Sequence, residues 1–182
     1  MRNRWLRNRG LRASVMCNQT LHIGESVERV KSMEYGSIER EIHVDASPEV
    51  VFEVVSRPEH ISQWWTDDAD IEATPGAVGE LVWGDRAQVA PITVVDADPP
   101  RLFSFRWCYP EGKVDDSANS LLVTFELTPS GTGTRIRLTE TGFREMGWEA
   151  AKLAEQYREH VVGWDTFVPR LGEYLARLVS TP

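Results

Sequence analysis

Near the C-terminus seven apolar residues, Tyr157, Val161, Trp164, Val168, Leu171, Leu175 and Leu178, recur at steps of 4, 3, 4, 3, 4 and 3. That period belongs to one long helix with one continuous buried face. The helix is expected from about Trp148 to about Val179, with Pro169 removing the hydrogen bond to the Asp165 carbonyl and kinking it. Most of what precedes it alternates like strands. A single helix must therefore cover the apolar face of a sheet.

Ile38, Ile42 and Val44 fall on one face of a first strand. Ser47, Pro48 and Glu49 then give a helix start: N-cap, first helical position and an acid in the first turn. Val50 to Val55 continue a short helix, and Arg57-Pro58-Glu59 opens a second through Trp64-Trp65. Strands and turns follow. Val78 to Trp83 precedes a Gly84-Asp85 turn, and Val89 to Val95 carries Pro91, which argues for an edge or a bulge. Along Leu102 to Tyr109, Phe103, Phe105, Trp107 and Tyr109 share a face, with Arg106 on the other. Residues 110–118 read as a polar loop. Leu121 to Leu127 alternates, residues 130–133 make a turn, and Arg135 to Thr141 is the last strand. The order is strand, two short helices, five or six antiparallel strands, long helix. A curved sheet gripping a helix leaves a gap where the two diverge, and that gap is a natural pocket.

Charge divides the chain. Residues 1–32 hold seven of its 20 Lys and Arg but only two of its 28 acids, so residues 33–182 carry a net −13. An acidic body disfavours nucleic acid or an anionic membrane as main partner. Residues 1–32 read first as a disordered tail, with Met33 as an alternative start; a basic arm and a transit peptide are the competing readings. Residues 33–182 are expected to form one domain, with no stretch of transmembrane length. Cys17 and Cys108 pair with no second ligand by spacing, so a reduced cytoplasmic protein without a disulfide is expected.

Several elements together resemble the START-like, or SRPBCC, superfamily. They are Ala46 to Phe52, Gln63-Trp64-Trp65, Val95 to Leu102, Phe105-Arg106-Trp107, Gly133-Thr134-Arg135, Glu140 to Phe143 and Gly163-Trp164. Within it they are similar to bacterial proteins like the C-terminal domain of the activator of heat-shock protein 90 ATPase. The resemblance implies an α+β helix-grip (START/Bet v 1-like) fold: a curved antiparallel sheet around a long C-terminal helix, with two short helices after the first strand. Members include lipid carriers, aromatic polyketide cyclases and hormone receptors, so the fold leaves function open.

Six of the seven tryptophans lie from Trp64 onward. The expected pocket wall is Trp64, Trp65, Trp83, Phe105, Trp107, Tyr109, Phe125, Tyr157 and Trp164, suited to a flat or lipid-like apolar ligand. Plain core packing is the rival reading, since each buried aromatic already stabilises folding by about 1.5–3 kcal/mol. Glu140 alternates inward and could act as acid or base, or sit solvated at the strand end. His160 borders the stripe and reads more readily as a surface histidine than as a general base. Arg40 shares a face with Ile38 and could reach a ligand carboxylate.

No metal site, cofactor, phosphate loop, nucleophile elbow or nucleic-acid patch is indicated. The leading expectation is a binding protein for a small hydrophobic ligand, without a catalytic centre. The alternatives are a cyclase, dehydratase or hydrolase on a polyketide-like substrate, and a chaperone-associated or stress-response interaction module. A homodimer or a protein partner is compatible with all three.

Overall fold

A computed structural model describes residues 35–108 and 119–180. Readings that fall on residues 1–34, on Tyr109 and on the 110–118 loop lie outside the described residues.

The first strand, β1 (Ser37–Val44), leads into α1 (Pro48–Ser56), where the Ser47 hydroxyl accepts from the Val50 N–H. The second short helix, α2 (Pro58–Trp64), again starts on proline and ends with Trp65 as C-cap. Six strands follow: β2 (Asp68–Asp70), β3 (Val78–Trp83), β4 (Gln88–Asp98), β5 (Leu102–Trp107), β6 (Leu121–Ser130) and β7 (Gly133–Thr141). The chain closes on α3 (Ala150–Ser180), 31 residues long. All strand pairs are antiparallel, in the order β1-β7-β6-β5-β4-β3-β2. The first strand thus pairs with the last, and the helix-grip expectation holds.

Alternation sets the buried face. Phe103, Phe105 and Trp107, then Leu121, Val123, Phe125 and Leu127, then Ile136 and Leu138 all point into one core, together with Trp164, Leu171 and Leu175 of α3. Pro91 sits in an interior strand, yet β5 pairs with β4 only from Thr93 onward, so among the described residues Pro91 has β3 as its one strand neighbour. The missing N–H therefore breaks no ladder bond to β5. The bulge lies further on, between Val94 and Asp96.

The buried stripe expected of the long helix needs correcting. The helix continues through Pro169, which is exposed. Its buried residues are Gln156, His160, Trp164, Val168, Leu171 and Leu175, while Tyr157 and Val161 are half-buried and Leu178 is exposed. Its first two buried positions, Gln156 and His160, are therefore polar. Periodicity judged by apolarity passes over such positions. Cys108, just beyond β5, is buried. Among the described residues no helix is long and apolar enough to cross a membrane.

Candidate functional site

Strand register brings the site residues to one end of the sheet. Phe105 pairs with Val123, Val123 with Glu140, and Glu140 with Ile38, so the four form a row across β5, β6, β7 and β1. Trp107, two residues beyond Phe105, stands diagonal to Glu140 on the same face. From above, His160 and Trp164 lie four apart on α3 and so project from one side of the helix.

These four side chains close around the Glu140 carboxylate. The Trp107 Nε1–H donates to Oε1 at 2.8 Å and the Trp164 Nε1–H to Oε2 at 2.7 Å. His160 Nδ1 stands 2.9 Å from Oε1 and 3.0 Å from Oε2. All four residues are fully buried. Indole nitrogens only donate, so each carboxylate oxygen accepts from an indole, and an Nδ1–H on His160 completes the set. In a neutral ring that tautomer makes Nε2 the acceptor. Glu140 is thus inward, as alternation indicated, and the solvated strand-end alternative is set aside. The reading of His160 as a surface residue is corrected: its ring meets Trp107 and Phe143 edge-on, at 5.3 Å each.

A larger aromatic network surrounds this polar node, with Trp65 at its centre. Ring centroids lie 5.1 Å from it at Trp164, 5.5 Å at Trp107, 5.6 Å at Trp64, 5.8 Å at Phe105 and 6.3 Å at Trp83. Phe125 joins through Trp64 and Trp164. Seven of the nine expected wall residues therefore form one continuous set of ring contacts, drawn from α2, β3, β5, β6 and α3. Tyr157 lies apart: it packs on Tyr35 and Phe143, and its hydroxyl donates to the Ser37 carbonyl at 2.8 Å. Tyr109, the ninth, is outside the described residues.

Arg40 does face α3, but its carboxylate partner belongs to the protein: Nε donates to Asp165 Oδ1 at 2.8 Å. Among the described residues no group of three or more His, Cys, Asp or Glu side chains could hold a metal ion. At another place on the surface an open groove of about 360 Å³ runs between α1 and the turn at Pro99-Pro100. It is lined by Glu49, Phe52, Glu53, Ser56, Arg57 and Ala73, and Phe52 links it to the aromatic network through Phe103 and Phe105.

What sequence reasoning missed is the convergence. Glu140 and His160 were separately visible, but nothing in local spacing showed that two tryptophans would share the same carboxylate.

An antiparallel sheet wrapped on one long C-terminal helix, with its aromatics gathered at one end, defines the START-like helix-grip class. Residues 45–176 match the family described as activator of Hsp90 ATPase homolog 1-like protein, and the chain belongs to that family. Among solved structures it is similar to protein MLL2253 from Mesorhizobium loti, at 25% identity and TM-score 0.63, covering 78% of this chain and 97% of that one. The Aha1 dimer from Colwellia psychrerythraea matches at 18% identity and TM-score 0.59, covering 76% and 95%. DynU16, from the dynemicin biosynthetic locus, matches at 24% identity and TM-score 0.60, covering 78% of this chain and 47% of that one. The last two likenesses speak to fold alone. No functionally curated protein shows a significant sequence match.

Proposed function

We propose that the protein binds a small apolar or aromatic, lipid-like ligand between the sheet and α3, at the end where Trp64, Trp65, Trp83, Phe105, Trp107, Phe125 and Trp164 meet. The observation that carries this reading is the polar node inside the aromatic network. A core needs no buried carboxylate and imidazole; well-packed apolar residues in their place are often neutral or stabilising. Polar groups kept at such a cost, ringed by flat apolar surface, are the makeup of a site that holds and orients a ligand. Equilibrium dialysis against the three-ring arene fluorenone tests it. Trp107→Ala or Trp164→Ala should remove binding in protein that still melts cooperatively. Unchanged affinity in a folded variant would place the site elsewhere.

A second reading is favoured by one contact. Glu140 against His160 Nδ1 is the arrangement that fixes an imidazole tautomer and directs the basic nitrogen away from the carboxylate. A cyclase, dehydratase or hydrolase would use His160 as base and Glu140 as its orienting partner. His160→Gln separates the two readings. A binding protein keeps its affinity for the arene within a few-fold; an enzyme keeps affinity and loses turnover of a polyketide-like substrate.

A further inference from the structure

Five indoles take part in the aromatic network, and four are anchored by their own N–H. Trp64 donates to the Val54 carbonyl at 3.2 Å, Trp83 to the Trp65 carbonyl at 3.3 Å, and Trp107 and Trp164 to Glu140. Trp65 is the exception. Only 4% of its surface is exposed, and among the described residues its Nε1–H has no acceptor. The Glu140 oxygens accept from Trp107, Trp164 and His160, and among the described residues no hydrogen bond joins them to Trp65. Buried N–H groups are paired in the great majority of cases, and an unpaired one calls for an explanation. Trp65 also sits at the C-cap of a seven-residue helix rather than within a long element. It is therefore the ring in the network least restrained by its own polar atom.

We infer that the Trp65 indole N–H is the ligand's hydrogen-bond donor, and that the ligand is a flat arene carrying a neutral carbonyl oxygen. This rests on the reading of the aromatic network as a ligand site. Each part of the specification has a cause. The aromatic side chains that pack around Trp65 present flat apolar faces, the surface that suits a flat aromatic frame. An indole N–H selects an acceptor, and a ligand without one leaves the donor buried and unpaired. The carboxylate shared by two of Trp65's ring neighbours disfavours a second negative charge, so a ketone, quinone or amide oxygen suits the place better than an anionic group. Specificity of this kind is strong because the penalty falls on the analogue that lacks the matching group.

Fluorenone and fluorene test it, since they share a three-ring frame and differ in one carbonyl oxygen. Dissociation constants are measured by equilibrium dialysis on the full chain and on Trp65→Phe, which keeps an aromatic ring and removes the N–H. The wild type should prefer fluorenone by tenfold or more. Trp65→Phe should lose that preference, the two arenes then binding within about threefold of each other whatever the change common to both. In ¹⁵N-labelled wild type, the Trp65 indole proton should move downfield with fluorenone and not with fluorene. Equal wild-type affinity for the two arenes overturns the donor assignment and leaves the aromatic-ligand reading standing. A preference that survives in folded Trp65→Phe overturns it as well. If neither arene binds the wild type, the underlying reading fails and the inference falls with it.

Discussion

Glu140 takes three donors on two oxygens, deep in an aromatic core. Glu140→Gln replaces one acceptor with an NH2 that must face an indole or imidazole N–H. The expected cost is about 1–3 kcal/mol, the range for leaving a buried donor unsatisfied, read as a fall in the urea midpoint at constant slope. His160→Gln should be coupled to it. A double-mutant cycle should depart from additivity by about 0.5–3 kcal/mol, and additivity within error would contradict a shared node. Glu159 is a neighbour with the opposite character. Burial, and then the charge of Glu155, hold its carboxyl above the usual carboxylate range. The folded state therefore binds that proton more tightly than the unfolded chain does. Stability from this group is present in acid and is lost as pH rises through the carboxylate range. Glu159→Gln should accordingly be more stable than wild type near pH 7, with the difference vanishing towards about pH 3. Urea melts at the two pH values check the sign. At this scale the sequence revealed Glu140 through alternation with Ile136 and Leu138. It singled out His160 but not its burial, because a histidine flanked by Glu159 and Val161 carries no local mark of a buried position.

The elements were legible where periodicity was clean. Alternation delimited β3 and located β5, β6 and β7, although β5 ends at Trp107, β6 runs on to Ser130 and β7 begins at Gly133; the Ser47-Pro48 signal placed the start of α1 to the residue. Two features needed the partner element in view. One is β4, where Pro91 is tolerated because β5 stops short of it. The other is Gly133, opposite Ser130 in the β6–β7 hairpin: a Cβ there would run into the Val44 carbonyl at the end of β1. Gly133→Ala must push β1 and β7 apart, and should destabilise by more than about 1 kcal/mol in a urea melt. Pro169 tests the long helix. It is exposed inside α3 and leaves the Asp165 carbonyl without its helical donor. Pro169→Ala should raise stability, by up to about 3 kcal/mol, and leave ligand affinity untouched. A loss of stability would mean that α3 requires the proline for its path over the sheet.

For the whole molecule, a sheet on a single helix followed from counting: many alternating strands and one helix long enough to cover them. The pairing of β1 with β7 joins Ile38 to Glu140, and no local signal encodes a contact between segments so far apart. The same holds for the site. Trp65, Trp107, Glu140 and Trp164 come from four elements and meet only when the sheet order is complete. Family membership follows from residues 45–176, and it leaves function to be argued from the aromatic end of the sheet. The measurement that decides whether this end holds a ligand is native mass spectrometry of protein freshly purified from its own host, set against the denatured mass. A ligand site should give a reproducible extra mass of small-molecule size that is lost on denaturation, and lost also from Trp107→Ala. A bare native mass, unchanged after incubation with mixed lipids and aromatic ketones, would overturn the ligand site and mark the aromatic network as core alone.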